Sequence, residues 1–321
     1  MYKIGIDIGG TKCAVALGDV SGDDVNFIGT SVFATVKDDT YKTTLTKIEL
    51  EMEKLLQQSG LKPGDICSIG ISCGGPLDSK KGVIMSPPHL IGWDDVHITE
   101  YFEGRHGIKT ILENDANACA LAEWKFGAGK GKNAENVIFL TFGTGFGGGL
   151  ILGGRLYSGA NGMAGEIGHI RAENTGPVGY GKAGSFDGFC SGDGIVQIAK
   201  TKLLELFQMG QKAAFCKSAK DMENLTAKQI AEAANDGDSL ALEIYRTSGE
   251  YLGRSLAILV DLLNPELIII GSIYQRAENL LGLPCRQVLE REALKHSLAV
   301  CEVVPAALGD DIGLYAALAL D

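Results

Sequence analysis

Two stretches of this chain share one plan. IGIDIGGTKCAVALG (residues 4–18) and FLTFGTGFGGGLILG (residues 139–153) each read as a strand, a glycine-rich turn and a second strand. In the first, Ile4, Ile6 and Ile8 alternate with Gly5 and Asp7, the period-two pattern of a strand. Cys13, Val15 and Leu17 resume that pattern beyond Gly9 and Gly10. Gly9 and Gly143 stand at matching points, 134 positions apart. Two similar half-molecules facing each other would set two glycine turns on opposite walls of a cleft, where ligand sites often form. Two unrelated hairpins are the alternative.

The chain is long enough for two domains: 321 residues, 45% hydrophobic and 21% charged. A net charge of −11 argues against binding nucleic acid, which needs many phosphate-neutralising cations. One phosphorylated ligand can still be held by backbone N–H groups. The start lacks a basic segment followed by an apolar run, so no secretory signal is expected. The most apolar late stretch is interrupted by Asp261, Asn264, Pro265 and Glu266, which excludes a membrane span there. Eight scattered cysteines without C-x-x-C read as free thiols, and the cytoplasm is the expected location.

Further along, residues 44–59 show helical spacing ended by Gly60, and residues 66–72, 109–113, 136–142 and 266–271 read as strands. Residues 117–126, 226–234 and 239–263 read as helices, the last with Gly249 and Gly253 inside it.

Three stretches carry chemistry. DIGGTK (residues 7–12) offers consecutive backbone N–H groups, the Thr11 hydroxyl and the Lys12 charge to a phosphate, while Asp7 could hold a hydrated Mg²⁺. FGTGFGGG (residues 142–149) contains G-x-G-x-x-G, but a strand-like run follows where a dinucleotide fold requires a helix. A phosphate-holding hairpin suits it better. In LENDANACALAEW (residues 112–124) Asp115 falls near a helix start, where the pattern alone favours a cap over a carboxylate that accepts a hydroxyl proton. Glu166 and His169 in AGEIGHI would share a face of a helix and could bond sugar hydroxyls; a structural histidine is the plainer alternative.

Taken in order, DIGGTK, GISCGGPLD (70–78), ENDANA (113–118), FGTGFGGG, AGEIGHI, IIIGS (268–272) and LGDDIGLYAAL (308–318) resemble the ROK family of repressors, open reading frames and sugar kinases. The resemblance spans nearly the whole chain. It implies an α/β fold of actin/hexokinase-like, ribonuclease-H-like duplicated domains with an interdomain cleft. The expected division is residues 1–116 with 305–321 in a small domain, and 117–304 in a large one. It further implies Asp115 as the base facing a sugar hydroxyl, and Gly74, Gly75, Asn114, Glu166 and His169 as sugar contacts. Gly9, Gly10, Thr11 and Lys12 would form one phosphate segment, Gly143, Thr144 and Gly145 the other, with Gly271 near the nucleotide. Asp7 would face Mg²⁺ through water.

The stretch VGYGKAGSFDGFCSG (residues 178–192) fits, without a gap, the family frame C-x-C-G-x-x-G-C-x-E-x-x-x-S-G that builds a structural zinc site with the preceding histidine. Here the three cysteine positions hold Val178, Tyr180 and Ser185, so no structural zinc is expected. Packing around Tyr180 and Phe186 is expected to order the loop instead. The frame's glutamate is Asp187, one methylene shorter, expected still to reach the sugar.

The expectation is an ATP- and Mg²⁺-dependent hexose kinase, a homodimer, acting at O6 of glucose or a related sugar. N-acetylhexosamines, fructose and β-glucosides follow glucose. A sugar-binding protein without catalysis and a sugar-responsive regulator are the rivals. The first strand begins by Tyr2, so no DNA-binding domain is expected ahead of it.

Overall fold

The computed structural model describes residues 1–35 and 40–321. The chain divides into two compact units: Met1–Asn133 with Gly149–Ala164 and Ala307–Asp321, and Ala134–Gly148 with Gly165–Ala306. The helix that carries Asp115 belongs to the first unit.

The first unit is built on a five-stranded sheet of β1 (Tyr2–Ile8), β2 (Lys12–Asp19), β3 (Asn26–Ala34), β4 (Ile66–Cys73) and β5 (Thr110–Asn114), ordered β3-β2-β1-β4-β5. β1 and β2 pair antiparallel, whereas β1–β4 and β4–β5 pair parallel. Alternation in β1 explains both faces. Ile4, Ile6 and Ile8 enter a core with Leu45, Ile48 and Met52 of the helix Tyr41–Ser59. That helix begins three residues earlier than its spacing predicts and ends at Gly60 in the left-handed conformation. On the other face, glycines let the C-terminal helix Ile312–Leu318 lie directly on the sheet. A Cβ at Gly70 would sit 2.0 Å from the Ala317 carbonyl oxygen, and one at Gly5 2.9 Å from Leu318 Cγ.

The second five-stranded sheet runs Arg155–Leu156, Phe146–Leu152, Val137–Phe142, Leu267–Ile270, Glu302–Pro305. In chain order this is third, second, first, fourth, fifth, the same plan as the first sheet. The two similar stretches therefore open two sheets of one topology, and the duplication is real. Gly249 and Gly253, weak points for an isolated helix, lie where the helix Ser239–Leu263 crosses Ile273–Glu292. Their added Cβ atoms would meet Pro284 Cγ at 2.7 Å and the Cys285 carbonyl oxygen at 2.4 Å. Among the described residues no helix is long and apolar enough to cross a membrane.

Candidate active site

In the first unit, β1 delivers Asp7 to the face covered by the C-terminal helix. A Cβ at Gly313 would lie 2.4 Å from Asp7 Oδ2, so glycine at 313 leaves the room this carboxylate occupies. Asp7 pairs in register with Ser72, whose hydroxyl oxygen is buried and lacks a hydrogen-bond partner by geometry while lying close enough to favour the ionised carboxylate. Burial, then the neighbouring charge of Asp115, pushes the Asp7 pKa up to about 6 against the pull of Lys12 and Ser72.

Asp115 is the first residue of the helix Asp115–Lys125, and Asn114 caps it by accepting the N–H groups of Ala116 and Asn117. The cap is thus the residue before Asp115, and the helix starts two residues earlier than its pattern predicts. Asp115 Oδ1 accepts the Ala116 N–H at 2.8 Å, and burial raises the pKa above the usual carboxylate range. Gly74 and Gly75 lie beside this pair: their added Cβ atoms would be 3.7 Å from Asp115 Oδ2 and 3.5 Å from Asn114 Nδ2. The structure therefore gathers Asp7, Gly74, Gly75, Asn114 and Asp115 in one unit.

The first glycine turn is closed by Gly9 N–H donating to the Lys12 carbonyl at 3.0 Å. Thr35 braces it, donating its N–H to the Thr11 carbonyl at 2.9 Å and its hydroxyl to the Gly9 carbonyl at 2.6 Å. Gly10 packs on His89, where an added Cβ would come within 2.6 Å of the histidine Cβ. Neither Thr35 nor His89 was found from sequence. Pairing of β3 with β2 places Thr35 opposite the turn, and no local motif marks either residue.

In the second unit, Gly143 N–H donates to the Gly145 carbonyl at 3.0 Å, and Gly143 lies against Ser272. Thr144 and Gly145 are exposed, as Thr11 and Lys12 are in the first turn, so both turns offer backbone to a ligand. Gly271 packs on the Phe139 ring and donates its N–H to the Leu140 carbonyl. Glu166 precedes and His169 ends a single 3₁₀ turn, Ile167–His169, so the two do not share the face of a regular helix.

The loop of residues 178–190 is ordered by hydrogen bonds and stacking. Tyr180 (φ +43°) and Gly181 (φ +74°) form a two-residue turn between Val178–Gly179 and Lys182–Ala183. Val178 exchanges two hydrogen bonds with the Gln197 amide, each 2.8 Å. Phe186 is buried, but Tyr180 is 78% exposed and pairs edge-to-face with the His169 ring, centroids 6.1 Å apart. Phe189 stacks on Tyr251 at 3.6 Å, and Glu173 binds both Tyr251 and Arg254. Cys190 is buried outside the frame.

Two residues fit a bound cation in the first unit: Asp7 with its raised pKa and Ser72 with its unpartnered hydroxyl. Among the described residues no three His, Cys, Asp or Glu side chains converge as a metal cluster. Mg²⁺ commonly takes one or two carboxylates and completes its shell with water and phosphate.

The Asp7 environment has a consequence for stability. A raised pKa means the folded chain holds its proton where the unfolded chain, near 3.8, has lost it. Stability therefore falls as pH rises from about 4 to about 6 and stays lower above that. Asp7→Asn is expected to raise stability at pH 7.5 by at most about 3 kcal/mol, with the gain shrinking towards pH 4.5. Thermal unfolding at both pH values checks this, and a loss of stability at pH 7.5 would contradict it.

Two sheets of one topology, each opening on a glycine turn, and a buried carboxylate at a helix start define an α/β protein of the actin/hexokinase-like class. The chain belongs to the ROK family, whose model matches residues 3–321. It is 34% identical to the glucokinase of Halalkalibacterium halodurans over 98% of this chain and 92% of that one. Among solved structures it resembles a ROK family glucokinase from Streptomyces griseus in complex with glucose and AMPPNP (TM-score 0.74, 30% identity, 99% of this chain and 98% of that one). It also resembles a ROK hexokinase from Thermus thermophilus (TM-score 0.78, 27% identity, 99% and 97%).

Proposed function

We propose that this chain is an ATP-dependent hexose kinase that transfers the γ-phosphoryl group of MgATP to a hexose hydroxyl, with O6 of glucose the foremost candidate. The observation that carries this reading is the buried Asp115 carboxylate beside Asn114 and the Gly74–Gly75 turn, in a chain with two exposed glycine turns. Full-length similarity to glucokinases supports it.

Asp115 orients the acceptor hydroxyl and takes its proton as the phosphoryl group arrives. Gly74, Gly75, Asn114, Glu166, His169 and Asp187 contact the sugar. Gly9, Gly10, Thr11, Lys12, Gly143, Thr144, Gly145 and Gly271 hold the nucleotide, its phosphates lying on backbone N–H groups. Asp7 would hold Mg²⁺ through water, and the ion when bound neutralises phosphate charge. Action in the cytoplasm as a homodimer, without a structural zinc, belongs to the same proposal.

A coupled ADP-release assay with MgATP and a panel of hexoses, N-acetylhexosamines and disaccharides tests this. Turnover of one hexose is expected, glucose first. No ADP release with any sugar would overturn the reading in favour of a binding protein. Elemental analysis of the purified protein is expected to find far less than one zinc per chain.

A further inference from the structure

Asp187 faces the second glycine turn. Its Oδ1 accepts the Phe146 N–H at 2.6 Å, and Phe146 is the residue that follows Gly143, Thr144 and Gly145. Three residues beyond the short helix Phe186–Phe189, Gly192 donates its N–H to the Gly143 carbonyl at 2.8 Å. One segment thus grips the turn at both ends.

Asp187 is itself held. Ser191 Oγ donates to its carbonyl at 2.6 Å, and Ser185 Oγ accepts the Gly188 N–H. Glycines make the close approach possible. An added Cβ would lie 2.3 Å from Asp187 Oδ2 at Gly179 and 3.3 Å from Oδ1 at Gly145; at Gly168 it would strike the Phe146 carbonyl oxygen at 1.9 Å. The chain runs from there to Val178 and its paired bonds with Gln197. Ser185 Oγ also donates to the Gly179 carbonyl at 3.4 Å, so hydrogen bonds tie the hairpin to the segment whose Asp187 holds the phosphate turn.

We infer that residues 178–192 brace the second phosphate turn, with Asp187 the positioning residue that sets its backbone for the donor nucleotide. This deepens the kinase reading and rests on it for the ligand. A carboxylate accepting a backbone N–H at this distance makes a charge-assisted bond, stronger than a neutral one. A glutamate here would carry the same oxygens one methylene further, so the shorter side chain suits the turn.

The test compares Asp187→Ala, Asp187→Asn and Gln197→Ala with the wild type by calorimetric titration of MgAMPPNP and of glucose. Loss of one charge-assisted bond from a pre-set turn is expected to weaken MgAMPPNP about tenfold in Asp187→Ala. Glucose affinity should fall by less than MgAMPPNP affinity, since the bond removed is the one to the turn. Asp187→Asn keeps an acceptor oxygen and should restore most of the nucleotide affinity. Gln197→Ala, distant from the turn, should shift nucleotide affinity in the same direction by less. Weakened glucose with unchanged MgAMPPNP would overturn the brace and leave Asp187 with a sugar contact alone. Amide exchange in the ligand-free protein separates the two readings: faster exchange at Phe146 in Asp187→Ala is expected, and unchanged exchange would overturn the brace whatever the enzyme turns over. Absence of wild-type turnover would instead count against the kinase reading.

Discussion

Asp115→Asn is expected to lower kcat by about 10²–10⁴-fold while leaving the sugar KM within a few-fold. The helix start survives the change, because Asn114 supplies the cap that accepts the Ala116 and Asn117 N–H groups. Asparagine fills the same volume but cannot take the hydroxyl proton, so the loss falls on the transition state. Asp115 also raises the Asp7 pKa. Removing its charge should therefore bring the Asp7 pKa down and add stability, because one of two facing buried carboxylates is gone. Lower activity with higher stability is the signature of a functional buried charge. The assay of ADP release gives kcat and KM, and urea unfolding gives the stability. A kcat within threefold of wild type would remove Asp115 from the base role.

Much of the fold was legible because duplication leaves a periodic trace. The strand, glycine turn and strand repeated in residues 4–18 and 139–153 point to two similar half-molecules, and both sheets share one strand order. That order could not be read, since strand neighbours are chosen by tertiary packing. Helix starts slipped by two or three residues where polar residues supply the first turn, as at Asp115 and Tyr41. The gathering of Asp7, Gly74, Gly75, Asn114 and Asp115 within one unit follows from their places at the ends of β1, β4 and β5. Thr35 and His89 escaped notice because they meet the first turn through backbone and Cβ contacts that no motif encodes. The ordering of the 178–190 loop was half legible. Phe186 is buried as expected, but Tyr180 points outward, and of the partners that hold the loop Gln197 lies on the helix that follows it and Tyr251 on a helix far along the chain.

Glu123→Ala is expected to cost about 2–4 kcal/mol in the first unit. Glu123 is fully buried near the end of the helix Asp115–Lys125. Its carboxylate accepts the N–H groups of Ala128 at 2.8 Å, Leu308 at 2.9 Å, and Ala307 at 3.0 and 3.1 Å to its two oxygens. Gly127 permits this, as a Cβ there would lie 2.1 Å from Glu123 Oε2. Ala307 is where the chain re-enters the first unit, so one side chain ties the helix end, the glycine turn after it and the returning strand of chain. Alanine would leave three part-buried N–H groups without this acceptor, at about 1 kcal/mol each, and a cavity besides. Glutamine keeps one oxygen but turns an NH₂ towards N–H groups, so Glu123→Gln should cost less than alanine and clearly more than a surface change. Both tryptophans, Trp93 and Trp124, lie in this unit, so fluorescence during urea unfolding reports on it directly. A midpoint for Glu123→Ala close to that of the wild type would mean that the three N–H groups find other acceptors, and the carboxylate would lose its place as the tie.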